Sequence, residues 1–89
     1  MYQVHTLKNG LTVITIDRPY LESVTTLVAV GAGSRYETNK TSGLSHFLEH
    51  MFFNGSKKYP NSEIIAGLIE GIGADNNAST NKEYTTYWI

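Results

Sequence analysis

The sequence predicts an α+β fold in which helices pack on one face of a mainly antiparallel sheet, in the order β-β-β-α-α-β-β. Three observations predict this class. Two β-rich runs near the start flank Asn9 and Gly10, the strongest short-range signal for a hairpin. Two stretches in the middle repeat apolar residues at helical spacing, and β-rich runs return after them.

The first three strands are predicted from β-branched and apolar runs. Residues 2–7 and 11–17 form the hairpin, and the second of these strands is apolar on much of both faces, which favours a central place in the sheet. Pro19 follows that strand and breaks it. A third strand covers 23–30, and a loop over 34–40 leads to the first helix.

The first helix is predicted within 41–55. Thr41 and Ser42 can cap its first turn, and Asn54 and Gly55 fit the left-handed conformation that ends a helix. Apolar residues recur along one face, and we expect this helix to be covered on most of its circumference. The apolar stripe consists of Leu44, Phe47, Leu48, Met51 and Phe52.

The second half of the chain is predicted as one helix followed by two strands. Pro60, Asn61 and Ser62 begin the helix, and Gly71 and Gly73 end it. Its core face consists of Ile64, Ile65, Leu68, Ile69 and Ile72. Residues 76–80 and 84–89 are again rich in β-forming residues.

The first helix contains the sequence H-x-x-E-H. His46 and His50 lie one turn apart on one face, and Glu49 lies about 60° to the side of His46. Two imidazoles can each supply a nitrogen to Zn²⁺, and a carboxylate beside the metal can accept a proton from water. The chain has no cysteine, so His and carboxylates are its strong metal ligands. A metallopeptidase is the leading interpretation, and a surface helix that carries these residues by accident is the alternative.

Composition excludes several function classes. The chain has 89 residues and a formal net charge of −1, with no run of Lys and Arg between its aromatic residues, which disfavours nucleic-acid binding. Its apolar runs are far shorter than the roughly 20 residues that span a bilayer, and residues 1–17 lack the apolar stretch of a signal peptide. We expect one soluble domain or part of one, with no membrane partner. The cytoplasm is favoured, although the sequence leaves the compartment open.

Four segments match one set of known motifs. Residues 7–11 match L-x-N-G-L, and residues 33–37 match G-S-R-x-E. Residues 43–55 hold H-x-x-E-H, whose order inverts the H-E-x-x-H of thermolysin-like enzymes. Residues 77–87 are similar to N-A-x-T-x-x-D/E-x-T-x-Y. The chain therefore resembles the N-terminal part of the pitrilysin/insulinase family of inverted-zincin metallopeptidases, which includes mitochondrial processing peptidases and bacterial zinc peptidases.

The resemblance implies a zinc-dependent endopeptidase with a role for each matching residue. His46 and His50 would ligate Zn²⁺, and Glu49 would be the general base that activates water. An extended peptide or unfolded protein substrate would pair with an edge strand by β-augmentation. The implied substrate-binding residues on that strand are Asn77, Ala78 and Ser79.

The resemblance also implies parts that these residues do not supply. In the family, the third zinc ligand is a Glu on a helix well downstream of the motif, and no acid of this chain stands at that position. The acids that follow the motif are Glu63, Glu70, Asp75 and Glu83. Family members also contain a second homologous half, fused or joined as a homo- or hetero-dimer. We expect residues 1–89 to be the N-terminal portion of one metallopeptidase domain that is inactive alone.

A second function class stays open. Some relatives keep the fold as non-catalytic subunits for peptide binding or assembly, and these commonly lose the motif. Here all three motif residues are present. Chelator-sensitive hydrolysis of peptides would distinguish the enzyme from such a subunit.

Overall fold

The computed structural model describes residues 1–89. It contains five strands and two α-helices in the predicted order, which confirms the α+β class. The strands β1 to β5 are Tyr2–Thr6, Thr12–Ile16, Leu27–Val30, Asn77–Thr80 and Thr85–Trp88, and the helices α1 and α2 are Leu44–Phe52 and Ser62–Gly71. A 3-10 turn, Ser34–Tyr36, lies between β3 and α1. Neither α-helix is long and apolar enough to cross a membrane.

The first two strands form the predicted hairpin. They pair antiparallel, from Tyr2 opposite Ile16 to Thr6 opposite Thr12. The sequence predicts a central place for β2, and this prediction is wrong, because β2 pairs with β1 alone. The side chains of Ile14 and Ile16 remain 61% and 58% exposed. Apolar residues on both faces mark surfaces that gain from burial, but they do not specify a hydrogen-bonding neighbour.

The other three strands form a separate antiparallel sheet in the order β3-β5-β4. Trp88 of the central strand β5 lies opposite Leu27 on one side and Asn77 on the other. Thr26 and Ile89 extend the β3–β5 ladder with two reciprocal backbone hydrogen bonds of 2.8 and 3.0 Å. The single sheet that the sequence predicts is therefore divided into two, and β4 lies at one edge of the second.

The helices lie on one face of this second sheet. α1 packs against β4, and the ring of Phe52 lies 4.7 Å from the ring of Tyr87 on β5. Residues of both helices and of the sheet line an apolar cavity of about 300 Å³, among them Phe52, Ile65, Val28 and Tyr87. The ring contact of Phe52 with Tyr87, whose register partner is the half-buried Ala78, identifies the helix-bearing face of the sheet.

Burial in the chain is low. Gly33 and Thr85 are its two buried residues. The prediction that α1 is covered on most of its circumference is wrong, because Phe47 is 63% exposed. On α2, Leu68 of the expected core face is likewise 54% exposed. Among the elements of this chain, α1 makes its main contact with the single strand β4. An apolar stripe is a property of one helix, whereas its burial requires other elements.

Candidate metal centre and active site

Helix α1 brings its two histidines together. The Nε2 atoms of His46 and His50 lie 3.0 Å apart, and the ring centroids lie 4.7 Å apart at an interplanar angle of 59°. One helical turn separates the two residues, so the local backbone geometry is sufficient to produce this pair. In a neutral pair, one Nε2–H donates to the other Nε2 and the tautomers decide the direction.

Glu49 joins the histidines in one cluster. A carboxylate oxygen of Glu49 and one ring nitrogen of each histidine all lie within 4.8 Å of one another. Both histidines are exposed, and Glu49 is half-buried. Two nitrogen ligands of a tetrahedral zinc ion, each about 2.0–2.1 Å from the metal, stand roughly 3.3 Å apart, which is close to the 3.0 Å between these Nε2 atoms. The donor types and their spacing therefore fit Zn²⁺.

Strand β4 holds the carboxylate of Glu49. The hydroxyl of Thr80, the last residue of β4, donates a hydrogen bond to Oε2 of Glu49. A hydrogen bond to a carboxylate stabilises its charged form and restricts its rotamers. This contact spans 31 positions of sequence, and the predicted site residues do not include Thr80. Strand alternation was the available signal, since it places Thr80 on the same face as Ala78.

The predicted substrate-binding residues lie on β4, beside this cluster. Ala78 and Thr80 are half-buried on the face toward α1, whereas Asn77 and Ser79 are exposed. On that opposite face the Ser79 hydroxyl lies 2.9 Å from the hydroxyl of its register partner Thr86. β4 pairs with β5 on one side only. Its other edge is therefore free to accept an extended chain within this structure.

Tyr87 lies on the neighbouring strand β5, where its register partner is Ala78. Burial raises the pKa of the Tyr87 hydroxyl, and the negative charge of Glu49 raises it further. Its phenol therefore remains protonated and neutral at physiological pH. The Tyr87 hydroxyl is therefore a polar but uncharged group within the electrostatic influence of Glu49.

The start of α1 differs from the prediction. Gly43 is the N-cap residue with φ of 84°, a left-handed conformation that favours glycine, and it has no side chain with which to cap the helix. The predicted capping of α1 by Thr41 and Ser42 is therefore wrong. Thr41 instead accepts a hydrogen bond from the Thr38 amide at 2.8 Å in the preceding turn. A residue outside the helix, Glu37, supplies the missing acceptors.

Both carboxylate oxygens of Glu37 bind the helix start. Oε1 accepts a hydrogen bond from the Ser45 amide at 2.8 Å, and Oε2 accepts one from the Gly43 amide at 2.6 Å. Hydrogen bonds from the Ser45 amide, the Ser45 hydroxyl and the Gly43 amide, in that order of size, lower the pKa of Glu37. This contact is not predictable from the sequence, because no local spacing rule relates Glu37 to amides six and eight positions further along the chain.

The end of α1 also differs in detail. Phe53 is the C-cap residue in right-handed helical conformation, and its amide bonds the His50 carbonyl oxygen at 3.3 Å. Gly55 has a positive φ of 133°, but Asn54 does not have a positive φ. The predicted left-handed ending at Asn54 is therefore wrong, and α1 lies within the predicted range 41–55. The three motif residues all remain inside it.

The sequence of this chain is similar to those of known proteins. Residues 12–89 match the family model described as "Insulinase (Peptidase family M16)". The chain is 48% identical over 83 residues to a probable mitochondrial-processing peptidase subunit beta of Schizosaccharomyces pombe, covering 93% of this chain and 18% of that protein. It is 43% identical over 88 residues to an uncharacterized zinc protease of Bacillus subtilis, covering 99% of this chain and 21% of that protein.

Solved structures share the fold of this chain. A protease from Helicobacter pylori matches with a TM-score of 0.87 and 31% identity over 99% of this chain and 21% of that chain. The first half of the periplasmic protease PqqL from Escherichia coli matches with a TM-score of 0.88 and 29% identity over 99% of this chain and 20% of that chain. The chain spans about a fifth of the length of the curated relatives that it matches.

Proposed function

The chain belongs to the insulinase family, peptidase family M16, and from this we infer that it carries the catalytic helix of a zinc-dependent endopeptidase. The observation that supports this most directly is the cluster of His46, Glu49 and His50, whose ligand atoms lie within 4.8 Å of one another. We propose that residues 1–89 are the N-terminal portion of one peptidase domain. The match to the first half of a larger protease supports this assignment.

The three motif residues are proposed to divide the chemistry. His46 and His50 would hold Zn²⁺ through their Nε2 atoms, which lie side by side. When bound, Zn²⁺ would polarise a scissile carbonyl and lower the pKa of a coordinated water to about 7. Glu49 would accept a proton from the attacking water and return it to the leaving amine. Thr80, which donates a hydrogen bond to Glu49, would keep that carboxylate oriented during the transfer.

The edge of β4 is the proposed substrate site. An extended peptide that pairs along Asn77, Ala78 and Ser79 would lie next to α1, because Thr80 at the end of the same strand contacts Glu49. Pairing through backbone hydrogen bonds does not depend on particular side chains. The proposed substrates are therefore peptides and small unfolded proteins.

The active site is proposed to be completed from outside these residues. Catalytic zinc sites in proteins use three protein ligands, whereas this chain offers two imidazoles once Glu49 is assigned as the base. A third ligand would come from further polypeptide, and a second homologous half, fused or in a dimer, would enclose the substrate. The match to larger proteases supports this organisation. The isolated 89 residues are accordingly expected to lack activity.

The proposed roles are tested in the protein at its full encoded length. His50→Ala should lose zinc, and His5→Ala, a matched change on β1, should retain it. Glu49→Gln should retain zinc but lower kcat by about 10²- to 10⁴-fold. Unchanged turnover in Glu49→Gln would exclude Glu49 as the base, and loss of zinc in that variant would make it a ligand instead. Peptide binding without chelator-sensitive hydrolysis would favour a non-catalytic subunit.

A further inference from the structure

The first turn of α1 depends on a residue outside the helix. The first amides of an α-helix have no partner within the helix. Here the N-cap Gly43 has no capping side chain, and both oxygens of Glu37 bind the amides of Gly43 and Ser45. A carboxylate at a helix N-terminus is also favoured by the helix dipole. Glu37 therefore replaces the missing local cap.

The segment that carries Glu37 is docked on the turn between β4 and β5. The Arg35 amide donates a 2.8 Å hydrogen bond to the Lys82 carbonyl oxygen, and the Ser34 amide donates a 3.4 Å bond to that of Asn81. The Arg35 guanidinium forms an ion pair with Glu83 in the same turn. One five-residue segment, 33–37, thus contacts the helix and the β4–β5 turn at the same time.

His46 immediately follows the capped residues. Ser45, whose amide binds Glu37, is the neighbour of His46 in the first turn of α1. Fraying of this turn would displace His46 before it displaces Glu49 or His50, because helices lose order from their ends. The position of His46 therefore depends on the contact between Glu37 and the helix start.

We propose that Glu37 is a positioning residue for the metal site: by capping α1 from segment 33–37, it holds His46 against His50 and fixes the motif helix relative to the β4–β5 hairpin. Glu37 does not touch the metal or the substrate in this assignment. Its effect on catalysis rests on the proposed function. Its effects on the helix start and on metal affinity do not require hydrolysis.

The test compares Glu37→Gln and Glu37→Ala with the same two changes at Glu22, an exposed residue between β2 and β3. Glutamine keeps the length and one acceptor oxygen, whereas alanine removes both acceptors. Amide hydrogen exchange across residues 43–47 should accelerate about threefold in Glu37→Gln and about tenfold in Glu37→Ala. The Glu22 variants should match the wild type.

Metal affinity is the second measurement. The zinc-free protein at its full encoded length is titrated with Co²⁺ and followed by visible absorption. Affinity should fall about threefold in Glu37→Gln and about tenfold in Glu37→Ala, in step with the loss of the cap. At limiting zinc, kcat should fall while KM is unchanged, and added zinc should restore kcat. A general loss of folded protein would not be restored in this way.

The outcomes separate the two proposals. Wild-type exchange and Co²⁺ affinity in both Glu37 variants would overturn the positioning role and leave the proposed peptidase intact. Lower Co²⁺ affinity in the variants of a protein without chelator-sensitive hydrolysis would overturn the peptidase and support the positioning role. If Glu37→Ala does not fold, Glu37→Gln decides by the same two measurements. If the wild type binds no Co²⁺, unchanged exchange across 43–47 overturns the inference and faster exchange supports the cap.

Discussion

Gly33 should tolerate no side chain. A Cβ at this position would lie 2.7 Å from the carbonyl carbon and oxygen of Lys82, and closer still to the carbonyl oxygen of Asn81. All of these atoms are backbone, so no side-chain rotation can relieve the overlap. Gly33 is extended, with φ of −174° and ψ of 179°, a conformation that any residue adopts. The effect of Gly33→Ala is therefore steric alone.

The expected cost is about 2 kcal/mol. Overpacking at a close contact costs about 1–3 kcal/mol. If segment 33–37 moves away to relieve the contact, it loses the amide bonds of Ser34 and Arg35 to the β4–β5 turn, which contribute about 1 kcal/mol each. The ion pair of Arg35 with Glu83 is exposed and adds less than about 1 kcal/mol. Both routes lead to a similar loss.

The assay is urea unfolding of the protein at its full encoded length, with Gly31→Ala as the matched control. A Cβ at Gly31 meets nothing within 4 Å, and its φ is not in the left-handed region. Gly31→Ala should change the free energy of unfolding by less than about 0.5 kcal/mol. Equal stability of the two variants would refute the docking of segment 33–37 on the turn. Faster hydrogen exchange at the Arg35 amide in Gly33→Ala alone would locate the effect.

Three further predictions concern side-chain hydrogen bonds. Thr80→Val removes the bond to Glu49 and should lower kcat about tenfold with zinc content unchanged; unchanged kcat would exclude an orienting role. Asn61→Ala removes the side-chain oxygen that caps α2 by accepting a 2.9 Å hydrogen bond from the Ile64 amide. The free energy of unfolding in urea should fall by about 1 kcal/mol, and an unchanged midpoint would contradict this capping role. The pKa of Glu37 is lowered in the fold, so its contribution to α1 should be complete above the usual value of 4.5 and should be lost as the pH falls through the lower folded value. Amide shifts of α1 should show this loss in the wild type and not in Glu37→Gln, and the same acid profile in both would contradict the cap.

Local geometry made the cluster of His46, Glu49 and His50 predictable. The spacing of His46 and His50 brings their rings together in any α-helix, and the structure places the two Nε2 atoms 3.0 Å apart. The hairpin at Asn9 and Gly10 and the cap of α2 by Asn61 follow equally local rules, and both are observed. These features involve residues within one turn of helix or one hairpin.

Contacts between distant segments were not predictable in this way. Thr80 contacts Glu49 across 31 positions, and Arg35 contacts Glu83 across 48. No period or cap rule relates residues at such separations. The same limit applies to the central place predicted for β2 and to the capping of α1 predicted for Thr41 and Ser42, because both predictions use neighbouring residues alone.

The sequence by itself determined the order of the helices and strands, the H-x-x-E-H cluster and, through motif resemblance, the family. Hydrophobic period, turn residues and helix geometry act within a few residues, so they can be read from the chain directly. Only the tertiary structure decided the division into two sheets, the edge position of β4, the hydrogen bond that holds Glu49 and the capping of α1 by Glu37. These features depend on which distant backbone and side-chain groups meet, because a strand edge or an unpaired helix amide can bind any suitable partner that the fold brings to it.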